Sequence, residues 1–127
     1  MSDIKIGRIL IVDDSDTVRD IYRISLEKKG FEVLEANSFK AATAVLEAEG
    51  KTLQLALIDI QLGQSSESGI DLLKILRTQY PDMKIIMCTG NATASNVSGA
   101  IKFKPDNFLI KPFNSQKLIE TIVKVIK

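Results

Sequence analysis

The sequence predicts an α/β fold, a parallel β-sheet covered by helices on both faces. Five short β-rich apolar runs alternate with stretches of helical spacing along the chain. The runs are nearly continuous in Val, Ile and Leu rather than alternating with polar residues, as expected of strands buried on both faces. With 127 residues, 45% apolar and 26% charged, the chain suits one domain with a real core and argues against disorder.

The runs are Arg8–Asp13, Phe31–Ala36, Leu53–Asp59, Lys84–Thr89 and Asn107–Lys111. After the first, Val18, Ile21, Tyr22, Ser25 and Leu26 follow i, i+3, i+4, i+7, i+8 spacing, and Gly30 stops the helix. The second helix has Ser38 as its N-cap, Phe39, Ala42, Thr43 and Leu46 as its stripe, and Gly50 as its stop. The third carries Leu72, Leu73, Leu76 and Tyr80 and ends before Pro81. The fourth is expected to be short or irregular, around Ala94–Lys102, because Asn96, Ser98 and Gly99 are poor helix formers. The last carries Leu118, Ile119, Ile122, Val123 and Ile126, with Asn114 as its cap.

Composition excludes several functions. There is no histidine, so the chain holds no Ser-His-Asp triad, no His–Cys zinc site and no phosphohistidine. Trp is absent, and five Phe with two Tyr give no stacking platform for single-stranded nucleic acid. Seventeen basic against sixteen acidic residues leave +1, so no overall field recruits nucleic acid or membrane. Apolar runs such as Ile9–Val12 fall far short of the ~20 residues of a membrane helix. No signal peptide is evident, and one cysteine, Cys88, suits a reducing cytoplasm. Cys88 reads as a small buried hydrophobe.

Right-handed crossovers place the C-terminal ends of parallel strands on one edge, where such folds bind ligands. The runs end in Asp13 with Asp14, in Asp59, in Thr89 and in Lys111. Neighbouring strands lie ~4.8 Å apart, so these acids repel one another unless a cation intervenes. Mg²⁺ prefers a few carboxylates with waters and a phosphate oxygen. A lysine supplies a point charge for phosphate or carboxylate, and a carboxylate can attack phosphorus to give an aspartyl phosphate. The chemistry suggested is metal-assisted phosphoryl transfer to an aspartate.

The ordered stretches RILIVDDSDTVRD, LALIDI, KIIMCTG and NFLIKPF resemble the receiver domain of bacterial two-component response regulators over essentially the whole chain. The resemblance implies a doubly wound five-stranded sheet of order 2-1-3-4-5. It divides the chain into a short tail, residues 1–7, and a single receiver domain, residues 8–127. It implies Asp59 as phosphoacceptor. Asp13, Asp14, Asp59 and the backbone carbonyl of Gln61 would hold Mg²⁺, with Mn²⁺ as a substitute. Thr89 and Lys111 would bind the phosphoryl group, and Phe108 falls at the switch-aromatic position. Gln61 and Asn91 match positions that tune phosphate lifetime, and two amides there predict moderate or fast self-dephosphorylation.

The implied donor is a sensor histidine kinase or a histidine phosphotransfer protein, and the output partner is unidentified. Such a domain catalyses its own phosphorylation and dephosphorylation and is not a conventional turnover enzyme. The expectation is therefore a cytoplasmic signalling receiver without nucleic-acid or membrane contact, with a possible homodimer surface in Ala94–Lys127. The alternatives are a degenerate receiver serving as a phosphate-independent binding module, and the N-terminal fragment of a larger regulator. A phosphatase with an aspartate nucleophile typically carries a second acid two residues on, where this chain has Gln61. A flavodoxin-like cofactor binder would need a glycine-rich phosphate loop, and none occurs.

Two departures from the family pattern stand out. Gly69 lies ten positions after Asp59 with no proline between, making that loop longer than usual. The fourth-helix region is polar rather than alanine-rich. Residues 101–127 hold six Lys against Asp106 and Glu120, a net +4. The first hundred therefore carry −3, and the basic end reads mainly as a solvated face.

Overall fold

Aliphatic and β-branched side chains dominate five segments that are strands in the computed structural model, which describes residues 7–63, 67–90 and 94–126. They are β1 (Arg8–Val12), β2 (Glu32–Ala36), β3 (Leu53–Asp59), β4 (Lys84–Thr89) and β5 (Asn107–Ile110). Between and after them run α1 (Asp16–Lys28), α2 (Phe39–Glu49), α3 (Gly69–Gln79), α4 (Ala94–Ile101) and α5 (Ser115–Ile126). All pairings are parallel, as the apolar runs led one to expect, and the order is β2-β1-β3-β4-β5, as the family resemblance implied.

Side chains alternate across the sheet into two cores. Ile9, Ile11, Leu55, Leu57, Ile86 and Cys88 pack with Tyr22 and Leu26 of α1 and Leu118 and Ile122 of α5. Leu10, Val12, Ala56, Ile58, Ile85 and Met87 pack with α2, α3 and α4 through Ala42, Leu46, Leu72, Leu73, Leu76 and Ala100. Each fully buried Leu or Ile contributes about 1.5–3 kcal/mol, so the two layers hold the strands in place.

Ser15 accepts the Val18 N–H at 3.2 Å, Ser38 that of Ala41 at 3.0 Å, and Asn114 that of Lys117 at 2.8 Å. At α3, Ser68 accepts the Ile70 N–H at 3.1 Å while Asp71 accepts the Ser68 N–H at 2.8 Å, a capping box. Replacing Ser68 with alanine is expected to cost about 1 kcal/mol. Urea unfolding should show it as a lower midpoint at unchanged slope.

Two helical stripes differ from expectation. Ile21 is 53% exposed and Val123 39% exposed. The inward face of α1 is the narrow Val18–Tyr22–Leu26 line, and Ile21 lies ~100° round the helix from Tyr22. On α5, Thr121 takes a buried place beside Ile122. Tyr80 follows α3 instead of ending it, with its hydroxyl donating to the Leu46 carbonyl at 3.0 Å.

Helix α4 is short, Ala94–Ile101, as its weak composition led one to expect. Ala100 is fully buried, and a Cβ on Gly99 would stand 3.4 Å from Ile70 Cδ1, so small residues bring α4 close to α3. Beyond α4, Arg77 donates to the Met83 and Lys104 carbonyls and to Asp106, and Asp106 also accepts the Ile85 N–H at 2.8 Å. This clasp fixes the N-terminal end of β5 beside β4. Among the described residues, no helix is long and apolar enough to cross a membrane.

Candidate functional site

The parallel direction carries the C-terminal ends of β1, β3, β4 and β5 to one edge. Asp13 and Asp14 follow β1, Asp59 ends β3, Thr89 ends β4 and Lys111 follows β5. Because β1 and β3 are neighbours, Asp13 and Asp59 converge, and the β3–β4 pairing sets Asp59 opposite Cys88.

Local bonds hold each group in place. The Asp13 N–H donates to the Ala36 carbonyl at 3.1 Å, and Asp13 Oδ1 accepts the Ser15 N–H at 2.9 Å. Arg19 donates to the Asp13 carbonyl at 2.6 Å, to Glu35 at 3.1 Å and to Asp16. Asp59 Oδ1 accepts the Gln61 N–H at 3.1 Å. The Lys111 N–H donates to the Thr89 carbonyl at 2.8 Å, and the Lys111–Pro112 peptide is cis.

The Lys111 ammonium donates to Asp13 Oδ2 at 2.7 Å and to Asp59 Oδ2 at 2.8 Å. Asp13 is 2% exposed, Asp59 6% and Thr89 0%, whereas Asp14 is open to solvent. One oxygen from each of Asp13, Asp14 and Asp59 lies within 4.8 Å of the others. A Mg²⁺ octahedron spans about 4.2 Å between opposite ligands, so a small inward adjustment suits this all-oxygen set to a hard divalent cation. Three carboxylates against one ammonium leave negative charge for such a cation to offset.

Burial pushes the Asp59 carboxyl above its ordinary value, against the lowering effect of Lys111, and Asp13 adds to the rise. Burial alone would lower Lys111, but its bonds to Asp13 and Asp59 outweigh this and hold it above its usual range. The ammonium is therefore charged at any physiological pH. Burial likewise pushes the Cys88 thiol up, so it stays neutral in the core.

The expected residues Asp13, Asp14, Asp59, Lys111, Thr89 and Gln61 are thus brought to one edge. The Thr89 hydroxyl donates to Gln61 Oε1 at 3.1 Å. Phe108 is half-buried against the α2–α4 core, beside Met87 of β4. Asn91 lies outside the described residues. Three supporting positions were not legible as such. Arg19 pins the carbonyl of the acidic turn; its place one turn into α1 is the only sequence signal. Gly63 adopts φ +69°, with its would-be Cβ 3.3 Å from Asp14 Oδ2. Gly69 abuts the Asp59 carbonyl, and the loop's glycines hinted at both close approaches.

Residues 9–123 match the family model described as the response regulator receiver domain. The chain is 33% identical over 112 residues to an NtrX-like response regulator of Rickettsia felis, covering 87% of this chain and 23% of that relative. It thus spans about a quarter of the length of the curated relatives it matches. The CheY-like receiver domain protein from Methanospirillum hungatei superposes with a TM-score of 0.88 at 34% identity, over 96% of this chain and 94% of that one. A response regulator from Burkholderia pseudomallei, solved with a phosphorylated aspartic acid, calcium ion and citrate, gives 0.82 at 28% identity. That match covers 95% of this chain and 66% of that one.

Proposed function

The chain belongs to the response regulator receiver domain family, and on that premise we propose that it is a signalling receiver phosphorylated on Asp59. One observation carries the reading: the buried Asp59 carboxylate shares the Lys111 ammonium with Asp13, and Asp14 completes an acidic cluster. The phosphorylated aspartate and bound cation of the Burkholderia relative lend it support.

The proposed donor is a phosphohistidine on a sensor kinase or phosphotransfer protein. An Asp59 oxygen attacks phosphorus, the P–N bond breaks, and the imidazole nitrogen keeps the bonding pair and takes up a proton. Asp13, Asp14, Asp59 and the Gln61 carbonyl would hold Mg²⁺, which offsets charge on the phosphoryl oxygens. Lys111 orients Asp59 before transfer and pairs with the phosphoryl group afterwards. A carboxylate of charge −1 becomes an acyl phosphate of about −2, so the edge gains about one negative charge and three acceptor oxygens. Thr89 turns its hydroxyl to one of these, and Phe108 responds to the space released. That bias selects the form of the domain that binds its output partner.

The test is intact mass after incubation with Mg²⁺ and acetyl phosphate or phosphoramidate, beside Asp59→Asn. The expected result is one hydroxylamine-labile phosphoryl group, lost with EDTA and absent from the variant. A folded wild type that binds Mg²⁺, shows no adduct and turns over too slowly to hide one would instead be a phosphate-independent binding module.

A further inference from the structure

We propose that the Gln61 side chain is a latch that holds the Thr89 hydroxyl in its resting position; the inference rests on the receiver reading above. Thr89 is out of contact with solvent, and its hydroxyl has one proton to give. In the structure that proton goes to Gln61 Oε1, at 3.1 Å. While it is donated there it is not available to a phosphoryl oxygen on Asp59, so Gln61 competes directly with the phosphoryl group for the same donor.

The placement of Gln61 suits this role. Its backbone N–H is bonded to Asp59 Oδ1 at 3.1 Å, which anchors the residue to the acceptor carboxylate. Its side chain bridges from the end of β3 to the end of β4, reaching the residue at the tip of the neighbouring strand. Gln61 itself is exposed, so on release its amide exchanges Thr89 for water and the latch opens reversibly. Gln61 is thus a positioning residue for the switch, acting through Thr89. This role is separate from any orienting of a hydrolytic water.

Beryllofluoride separates the two roles, because it occupies the phosphoryl position and does not undergo hydrolysis of an acyl phosphate. Its affinity is measured by ¹⁹F NMR titration in excess Mg²⁺, for wild type, Gln61→Met, Thr89→Val and the double variant, each checked for folding by its amide NMR spectrum. Methionine keeps the length of the side chain and removes the acceptor. Gln61→Met is expected to bind beryllofluoride about two- to tenfold more tightly than wild type, the range of one ordinary hydrogen bond. In the Thr89→Val background the same substitution should leave the affinity unchanged. Equal or weaker binding by Gln61→Met, or an equal gain without the Thr89 hydroxyl, overturns the latch while leaving the receiver reading intact. Failure of folded wild type to bind beryllofluoride overturns the receiver reading and the latch with it.

Discussion

Replacing Gly69 with alanine is expected to destabilise the domain by about 3 kcal/mol or more and to impair phosphorylation of Asp59. A Cβ at this position would sit 2.1 Å from the Asp59 carbonyl oxygen, and 2.9 Å from both its carbonyl carbon and Ile58 Cγ2. The first two neighbours are backbone of the acceptor strand, which cannot swing aside as a long side chain can. Gly69 also donates its N–H to the Ile60 carbonyl at 2.8 Å, so α3 cannot back away without breaking the bond that closes the loop. Relief must come from moving the end of β3, which carries the acceptor. Urea unfolding and intact-mass phosphorylation would read the two effects. A variant with wild-type midpoint and wild-type adduct would show that α3 yields easily and that the close approach is incidental.

Replacing Lys111 with methionine is expected to cost about 3 kcal/mol at pH 7.5 without divalent cation. Methionine preserves much of the apolar stem. It removes the ammonium that bonds Asp13 at 2.7 Å and Asp59 at 2.8 Å, leaving two buried carboxylates without their shared cation. The pH dependence follows from the direction of the Asp59 shift. Burial already raises this carboxyl, and Lys111 supplies the two largest effects that restrain the rise. Without Lys111 the folded value climbs further above the ordinary unfolded value near 3.9. The native state then binds more protons than the unfolded state, so the variant loses stability as pH rises between those two values. Lowering the pH from 7.5 to 5.5 should therefore narrow the gap from wild type, as should added Mg²⁺. A gap unchanged by either treatment would mean that the loss comes from packing rather than from charge.

Much of this architecture was legible because it depends on local pattern. The five runs and their terminal Asp13, Asp59, Thr89 and Lys111 could be read from apolar continuity followed by a polar break. The caps Ser38 and Asn114 were legible for the same reason, since the side chain and the N–H it satisfies lie three residues apart. The strand order came from the family resemblance, because nothing local distinguishes which strands are neighbours. Helix α4 was legible as a short helix from its poor helix formers, but the use of Gly99 was not, since only tertiary packing shows that its missing side chain admits α3. Ile21 and Val123 were overestimated because apolar spacing does not say how wide an arc the sheet will cover. The Thr89–Gln61 bond and the Arg77 clasp join residues 28 and 29 positions apart, so no spacing rule could supply them.

The division of the interior into two packed layers has a metric consequence for the acidic edge. A strand that slipped by one residue would exchange its two faces and send Ile9 and Ile11 where Leu10 and Val12 belong. A slip of two would keep the faces but displace the strand tip by roughly 6.6 Å, more than twice the 2.8 Å that separates Lys111 from Asp59. The aliphatic side chains therefore serve as a vernier, since their fit on both sides of the sheet sets how far each acid projects at its rim.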